Sequence, residues 1–314
     1  MVSLYFPYSA RVAPHRNIMN WSKASMEVIP EDFIRNIDNR LIDEDVGLHQ
    51  RPFVIVMEWM DQNNISGNFL DERIWVPLMA SYKKLYPTGD FSVPALLSAG
   101  VAIRDKMYPV HVGIGFGTVE VDPLKLIDIS TEELSYIFNN QPEQGWKALY
   151  GVCDLWDFAY GVDDLKRDKS PAAELLSNAR SAISATARTL LGQTDIDSAI
   201  QSACLAAELS LKGALTILGV SAQQIRAASH NLVKLAEILI SLKPNGNSSL
   251  LLEASKDFPN YVSTRYSSHG LKRTELMALA MRSQFVAAEA VRCVSERNFA
   301  SQVDNGANPP RPKP

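Results

Sequence analysis

The sequence predicts an α+β N-terminal domain followed by an all-α, up-and-down helical bundle. Three observations carry that expectation. Short β-like runs mix with helical ones over residues 1–150, and amphipathic helical stripes succeed one another from Pro171 onward. The charge balance also changes near Ser170: residues 1–170 hold 16 Lys and Arg against 24 Asp and Glu, whereas residues 171–304 hold 13 against 11. With 314 residues, 46% hydrophobic and 21% charged, the chain has ordinary globular composition and enough length for two cored domains.

Pro52–Trp59 is a compact apolar run rich in β-branched and aromatic residues, and reads as a strand. Leu78–Leu85 reads as a helix that Pro87 ends. Ser92-Val93-Pro94 opens a second helix that Gly100 closes, and Val110–Val121 alternates as a half-buried strand does. A short helix follows Ser130, and an aromatic-rich one spans Trp146–Tyr160. Residues 161–170 are charged and nearly devoid of apolar anchors, as an exposed linker is, which makes 1–160 one domain and 171–300 the bundle.

Ser170-Pro171 is a helix cap followed by proline at the first helical position. Apolar residues then step by three or four along 172–191, 198–218, 230–243 and 274–297. Each stripe is too narrow to stand alone, so the four are expected to pack as an antiparallel bundle independent of residues 1–160. The Pro-rich stretch within 301–314 is expected to be a disordered tail.

Several functions are excluded at this level. No apolar run reaches the ~18 residues of a membrane span, and Met1–Tyr8 lacks the basic flank and cleavage site of a secretory signal. The three cysteines, Cys153, Cys204 and Cys293, form neither a disulfide framework nor a metal-ligand set. A cytoplasmic protein with no metal, no cofactor and no membrane partner is expected. Gly113-x-Gly115-x-Gly117 lacks dinucleotide-binding spacing, and no phosphate-binding loop, zinc-protease motif or nucleotidyltransferase Gly-Ser motif is present. The acidic first half is a poor generic nucleic-acid binder, so contact with a polyanion must come from local geometry.

Two segments carry a family resemblance. Asp197–Leu215 contains Glu208-x-x-x-Lys212 and is followed by Gly219 and by Ser229-His230-Asn231-Leu232; Asn260–Tyr266 contains Arg265-Tyr266 and leads into the last long helix. In that order and spacing these residues resemble the HEPN family, over about residues 172–297. The resemblance implies an up-and-down bundle, a homodimer formed through it, and association with RNA or nucleotides. Many members are metal-independent ribonucleases, others are inactive partners or substrate-holding modules, and a role in defence or stress response would suit the family.

Catalytic members of that family have four to six residues between an Arg and a His, one more at least than this sequence has. A histidine of near-neutral pKa exchanges a proton with a ribose 2′-OH while an arginine holds the phosphate as charge develops. Arg226 and His230 are separated by three residues here, as are Arg265 and His269, and an i, i+4 pair shares one helix face. Those four are the candidate catalytic residues; Glu208, Lys212 and Tyr266 are the candidate ligand-binding residues. Arg226 and His230 lie opposite the Leu232/Leu235/Leu239 stripe and so face solvent or a partner. The structural alternatives are an i, i+4 ion pair for Glu208 and Lys212, a helix-start residue for His230, and a loop anchor for Arg265 and Tyr266. Two function classes follow: a module that binds RNA or a nucleotide, with metal-independent endoribonuclease chemistry if it is an enzyme, or a non-catalytic dimerisation module that presents the N-terminal domain.

Overall fold

Packing divides the chain elsewhere than at the expected linker. A computed structural model describes residues 2–5, 28–65, 71–92, 95–115, 118–165, 170–192, 194–259, 270–304 and 308–314. One compact unit is Ser9–Pro94; the other joins Met1–Tyr8 to Ala95–Pro314.

In the Ser9–Pro94 unit, α1 (Glu31–Asp43), α2 (Arg51–Gln62) and α3 (Glu72–Leu85) bury Ile34, Leu41, Ile55, Val56, Leu78 and Tyr82 in one core. The run Pro52–Trp59, expected as a strand, lies inside α2. Pro52 sits in the first turn, where its missing N–H costs nothing. Pro52, Ile55, Val56 and Met60 are buried at helical spacing, and burial of that face overrides the β-branched content. Asp38 is buried on α1 and accepts hydrogen bonds from the hydroxyls of Tyr82 and Tyr86, with Arg51 Nη1 at 3.5 Å. Burial and then the Asp38 carboxylate raise the Tyr82 hydroxyl above its ordinary range.

The second unit begins with two small antiparallel pairings. β1 (Val2–Tyr5) pairs with β4 (Thr118–Val121), and β2 (Leu97–Ile103) pairs with β3 (Lys106–Val112). The segment expected to form a helix closing at Gly100 therefore runs into a strand; β2 is buried at every position from Ala99 to Ile103, which removes the alternation that marks a half-exposed strand. Arg104 and Asp105 make the turn, with Arg104 at φ 59°. The single strand expected over Val110–Val121 is two strands, because the backbone after Val112 turns to the Tyr160 hydroxyl. That hydroxyl accepts from the Gly115 N–H and donates to the Gly113 carbonyl, each at 2.9 Å.

Helix α4 (Thr131–Asn140) is capped by Ser130, whose side chain accepts from the Glu133 N–H. Helix α5 (Pro142–Leu165) is buried at every position from Ala148 to Val162. A helix apolar all round is a core helix, and α5 is the core of this unit: Val152, Leu155 and Phe158 share a cluster with Val101 and Val110 of the hairpin and with Leu176, Ile183 and Val291 of the following helices. The bundle is therefore not independent of residues 1–160. Residues 161–165 belong to α5 rather than to a linker, and residues 166–169 lie outside the described residues.

The remaining helices among the described residues are α6 (Pro171–Leu191), capped by Ser170, α7 (Ala199–Ile217), α8 (Ala222–Ala228), α9 (Leu232–Leu242), α10 (Ser248–Lys256), α11 (Arg273–Arg292) and α12 (Phe299–Asp304). Of these, α6, α7, α9 and α11 fall on the four stripes read from the sequence. α6 and α7 are antiparallel, with Leu176 against Gly213 and Thr186 Oγ1 2.8 Å from Ser202 Oγ. α5 and α11 run in the same direction, with Gly151 against Met281 and Gly161 against Val291. A helical bundle is present, and α5 packs beside it. A second cluster joins Leu211 and Leu215 of α7, Leu235 and Leu239 of α9, Leu251 of α10 and Phe285 of α11. Residues 308–314 are not a disordered tail: Arg311 is buried against Asp154.

The α5–α11 approach sets a stability test. A methyl added at Gly161 would overlap Cγ1 of Val291 within a buried helix pair. Gly161→Ala is expected to cost about 1–3 kcal/mol by overpacking despite alanine's better helix propensity. Gly246→Ala, which meets nothing within 4 Å, is the control. Thermal denaturation of both variants checks this; equal melting temperatures would refute the close approach.

Candidate functional site

α7 places Glu208 and Lys212 one turn apart, but the pair is not the surface ion pair that spacing alone suggests. Glu208 is 3% exposed, and its Oε1 accepts from Lys212 Nζ at 2.6 Å. The same carboxylate meets His230 Nδ1, at 2.9 Å through Oε2 and 3.0 Å through Oε1. A buried carboxylate therefore holds a lysine and an imidazole of which 48% of the side chain is exposed.

The chain reaches this arrangement through a defined turn. Gly219, at φ 80°, leaves α7, and a capping box of Ser221 and Gln224 starts α8. α8 stops at Ala228 because Ser229 takes φ 55° and ψ −123°, outside the helical region. His230 then follows in the turn, and the Asn231 side chain caps α9 by accepting from the Lys234 N–H at 3.1 Å. Leu232 is buried in the second cluster. The sequence Ser229-His230-Asn231-Leu232 thus divides its work into kink, carboxylate partner, cap and core anchor.

That kink corrects one expectation. Arg226 lies on α8 and is exposed, whereas His230 lies beyond the helix end, so the two do not share a helix face. Arg265, Tyr266 and His269 lie outside the described residues. His111, on β3, has Nδ1 3.1 Å from Ser98 Oγ. Burial disfavours the thiolate at all three cysteines. Burial, with Glu208 nearby, pushes the Cys204 thiol up to about 12, burial with Glu289 nearby pushes Cys293 up to about 11, and burial raises Cys153 further.

A second polar constellation escaped the sequence reading. Asp154 and Asp157 lie on α5, Glu289 and Arg292 on α11, and Arg311 in the segment after α12. Arg292 donates to all three carboxylates, at 2.7 Å to Asp154 Oδ1, 2.8 Å to Asp157 Oδ2 and 2.7 Å to Glu289 Oε1. Asp157 also accepts from the backbone N–H groups of Phe299 and Ala300, fixing the start of α12. Burial alone would raise the Asp154 carboxyl, and the Arg311 and Arg292 guanidiniums overcome it, holding the group below the ordinary aspartate range. The signal available in the sequence was the pair Asp154 and Asp157 inside an apolar helix: buried carboxylates require cations.

Among the described residues, no group of three or more His, Cys, Asp or Glu side chains is placed to hold a metal ion, and no helix is long and apolar enough to cross a membrane. No family model, curated protein or solved structure matches the chain.

Proposed function

We propose that the helical bundle binds RNA or a nucleotide and carries metal-independent endoribonuclease chemistry at His230. The observation that supports this reading is the partly exposed His230 imidazole, hydrogen-bonded through Nδ1 to the buried Glu208 carboxylate. A carboxylate at Nδ1 orients the ring and favours the tautomer whose Nε2 accepts a proton, the arrangement a general base needs. Lys212, held by the same carboxylate, and the exposed Arg226 supply positive charge for phosphate. The HEPN-like order of Glu208, Lys212, His230 and Arg265 in the sequence agrees with this reading, which also expects a homodimer formed through the bundle.

One observation favours a second reading, a non-catalytic module that dimerises and presents the rest of the chain. The Ser229 kink puts Arg226 and His230 on different elements, so Arg226 does not share a helix face with the base. Single-stranded RNA incubated with the purified chain in EDTA separates the two. The catalytic reading expects cleavage that persists in EDTA and leaves 2′,3′-cyclic phosphate ends. Intact RNA, or cleavage that EDTA abolishes, would overturn it.

A further inference from the structure

Arg311 occupies its place in the manner of a ligand. Its Nη1 and Nη2 atoms donate to Asp154 Oδ2 and Oδ1, each at 2.8 Å, a two-pronged match between guanidinium and carboxylate. The guanidinium lies 4.8 Å from the Tyr150 ring centroid and 5.0 Å from that of Phe285. Its side chain is 6% exposed, yet Nε has no hydrogen-bond partner among the described residues. A fork on an acid, flanked by two aromatic rings, is a recognition geometry for guanidinium.

The seat does not depend on Arg311 for its construction. Asp154 and Tyr150 belong to α5 and Phe285 to α11, and Asp154 keeps Arg292 at 2.7 Å. It does depend on a cation. With Arg311 in place the buried cluster holds three carboxylates and two guanidiniums; without it the ratio is three to one, and one lone guanidinium must neutralise Asp154, Asp157 and Glu289. A cleft of about 250 Å³ opens beside the seat, lined by Arg104, Lys147, Gln144, Met277, Met281 and Pro312. Arg104 holds φ 59° at the hairpin turn, a conformation that favours glycine, and its N–H donates to Gln144 Oε1. The cleft provides room for the body of a molecule whose guanidinium takes the Arg311 position.

We propose that Asp154, with the rings of Tyr150 and Phe285, forms a guanidinium-binding site that Arg311 occupies in cis, and that a guanidine-bearing ligand takes the same seat when Arg311 leaves it. The ligand is either a free guanidino compound or the arginine of a peptide. This site is separate from the His230 cluster and stands whether or not the chain cleaves RNA.

The test uses full-length Arg311→Ala with methylguanidine, L-arginine and a heptapeptide of the sequence of residues 308–314. The variant is expected to melt below the wild type. Each guanidine-bearing probe at millimolar concentration should raise its melting temperature saturably, while the wild type does not shift. Rescue by the peptide at a tenfold lower concentration than methylguanidine assigns the site to peptide arginine; equal potency assigns it to free guanidino compounds. Absence of rescue, equal rescue by methylammonium at matched ionic strength, or rescue that survives an added Asp154→Asn each overturns the proposal. Arg311→Lys preserves the charge and removes the fork, so it undergoes the same titrations if the alanine variant does not fold.

Discussion

Arg292→Ala is expected to lower the unfolding free energy by about 3–5 kcal/mol, a large share of the 5–15 kcal/mol that holds a domain folded. The side chain is 3% exposed and pairs with Asp154, Asp157 and Glu289. Its removal leaves Arg311 on Asp154, while Asp157 and Glu289 keep only neutral donors among the described residues, and uncompensated buried charge is what makes breaking such a cluster expensive. The loss depends on pH in a stated direction. The Arg311 and Arg292 guanidiniums hold the Asp154 carboxyl below the ordinary aspartate range, so the stability it contributes is present above the unfolded pKa and is lost as pH falls through the depressed native one. Without Arg292 the carboxyl loses one of the two cations holding it down, and the acid transition moves to higher pH. The deficit should therefore be widest near neutrality and narrow on acidification. Urea unfolding at pH 7 and pH 4 measures both, with Arg292→Lys falling between the two proteins. A deficit under about 1 kcal/mol at pH 7, or one that does not change with pH, would show that the cluster does not stabilise the fold in this way.

The contrast between the two polar sites explains what the sequence could reveal. α6, α7, α9 and α11 were legible because each buries one face, and a buried face writes itself as a three-to-four spacing. α5 was legible as a helix but not as the core of the unit, because burial on every face leaves no stripe from which to read its neighbours. α2 and β2 were misread for related reasons: short apolar runs do not distinguish strand from helix, and a strand buried on both faces loses its alternation. Glu208, Lys212 and His230 could be singled out through local order. The break between Arg226 and His230 could not, since Ser229 enters positive φ without the glycine that usually announces it. The Asp154 cluster was hidden by distance along the chain: Arg292 and Arg311 lie 138 and 157 residues away from it, and no local pattern links them.

His230→Ala is expected to reduce RNA cleavage by ~10²–10⁴-fold, the range for loss of a general base, without loss of the fold. The side chain is about half exposed, and Glu208 keeps Lys212 when the imidazole is removed, so the melting temperature should fall only modestly. Glu208→Gln is the companion substitution, and it tests the chemistry from beneath. Glutamine preserves the volume at a position 3% exposed but removes the negative charge that Lys212 and His230 share. If Glu208 positions the base, kcat should fall by about 10²-fold with KM nearly unchanged, because ring orientation matters in the transition state more than in substrate binding. A purely structural Glu208 predicts a different pattern: a lower melting temperature, with activity per folded molecule preserved. Measuring kcat, KM and melting temperature on the same preparations distinguishes these results. Cleavage that survives both His230→Ala and Glu208→Gln would remove the base from this cluster altogether, since a group not needed in either variant cannot be the one that accepts the 2′-OH proton.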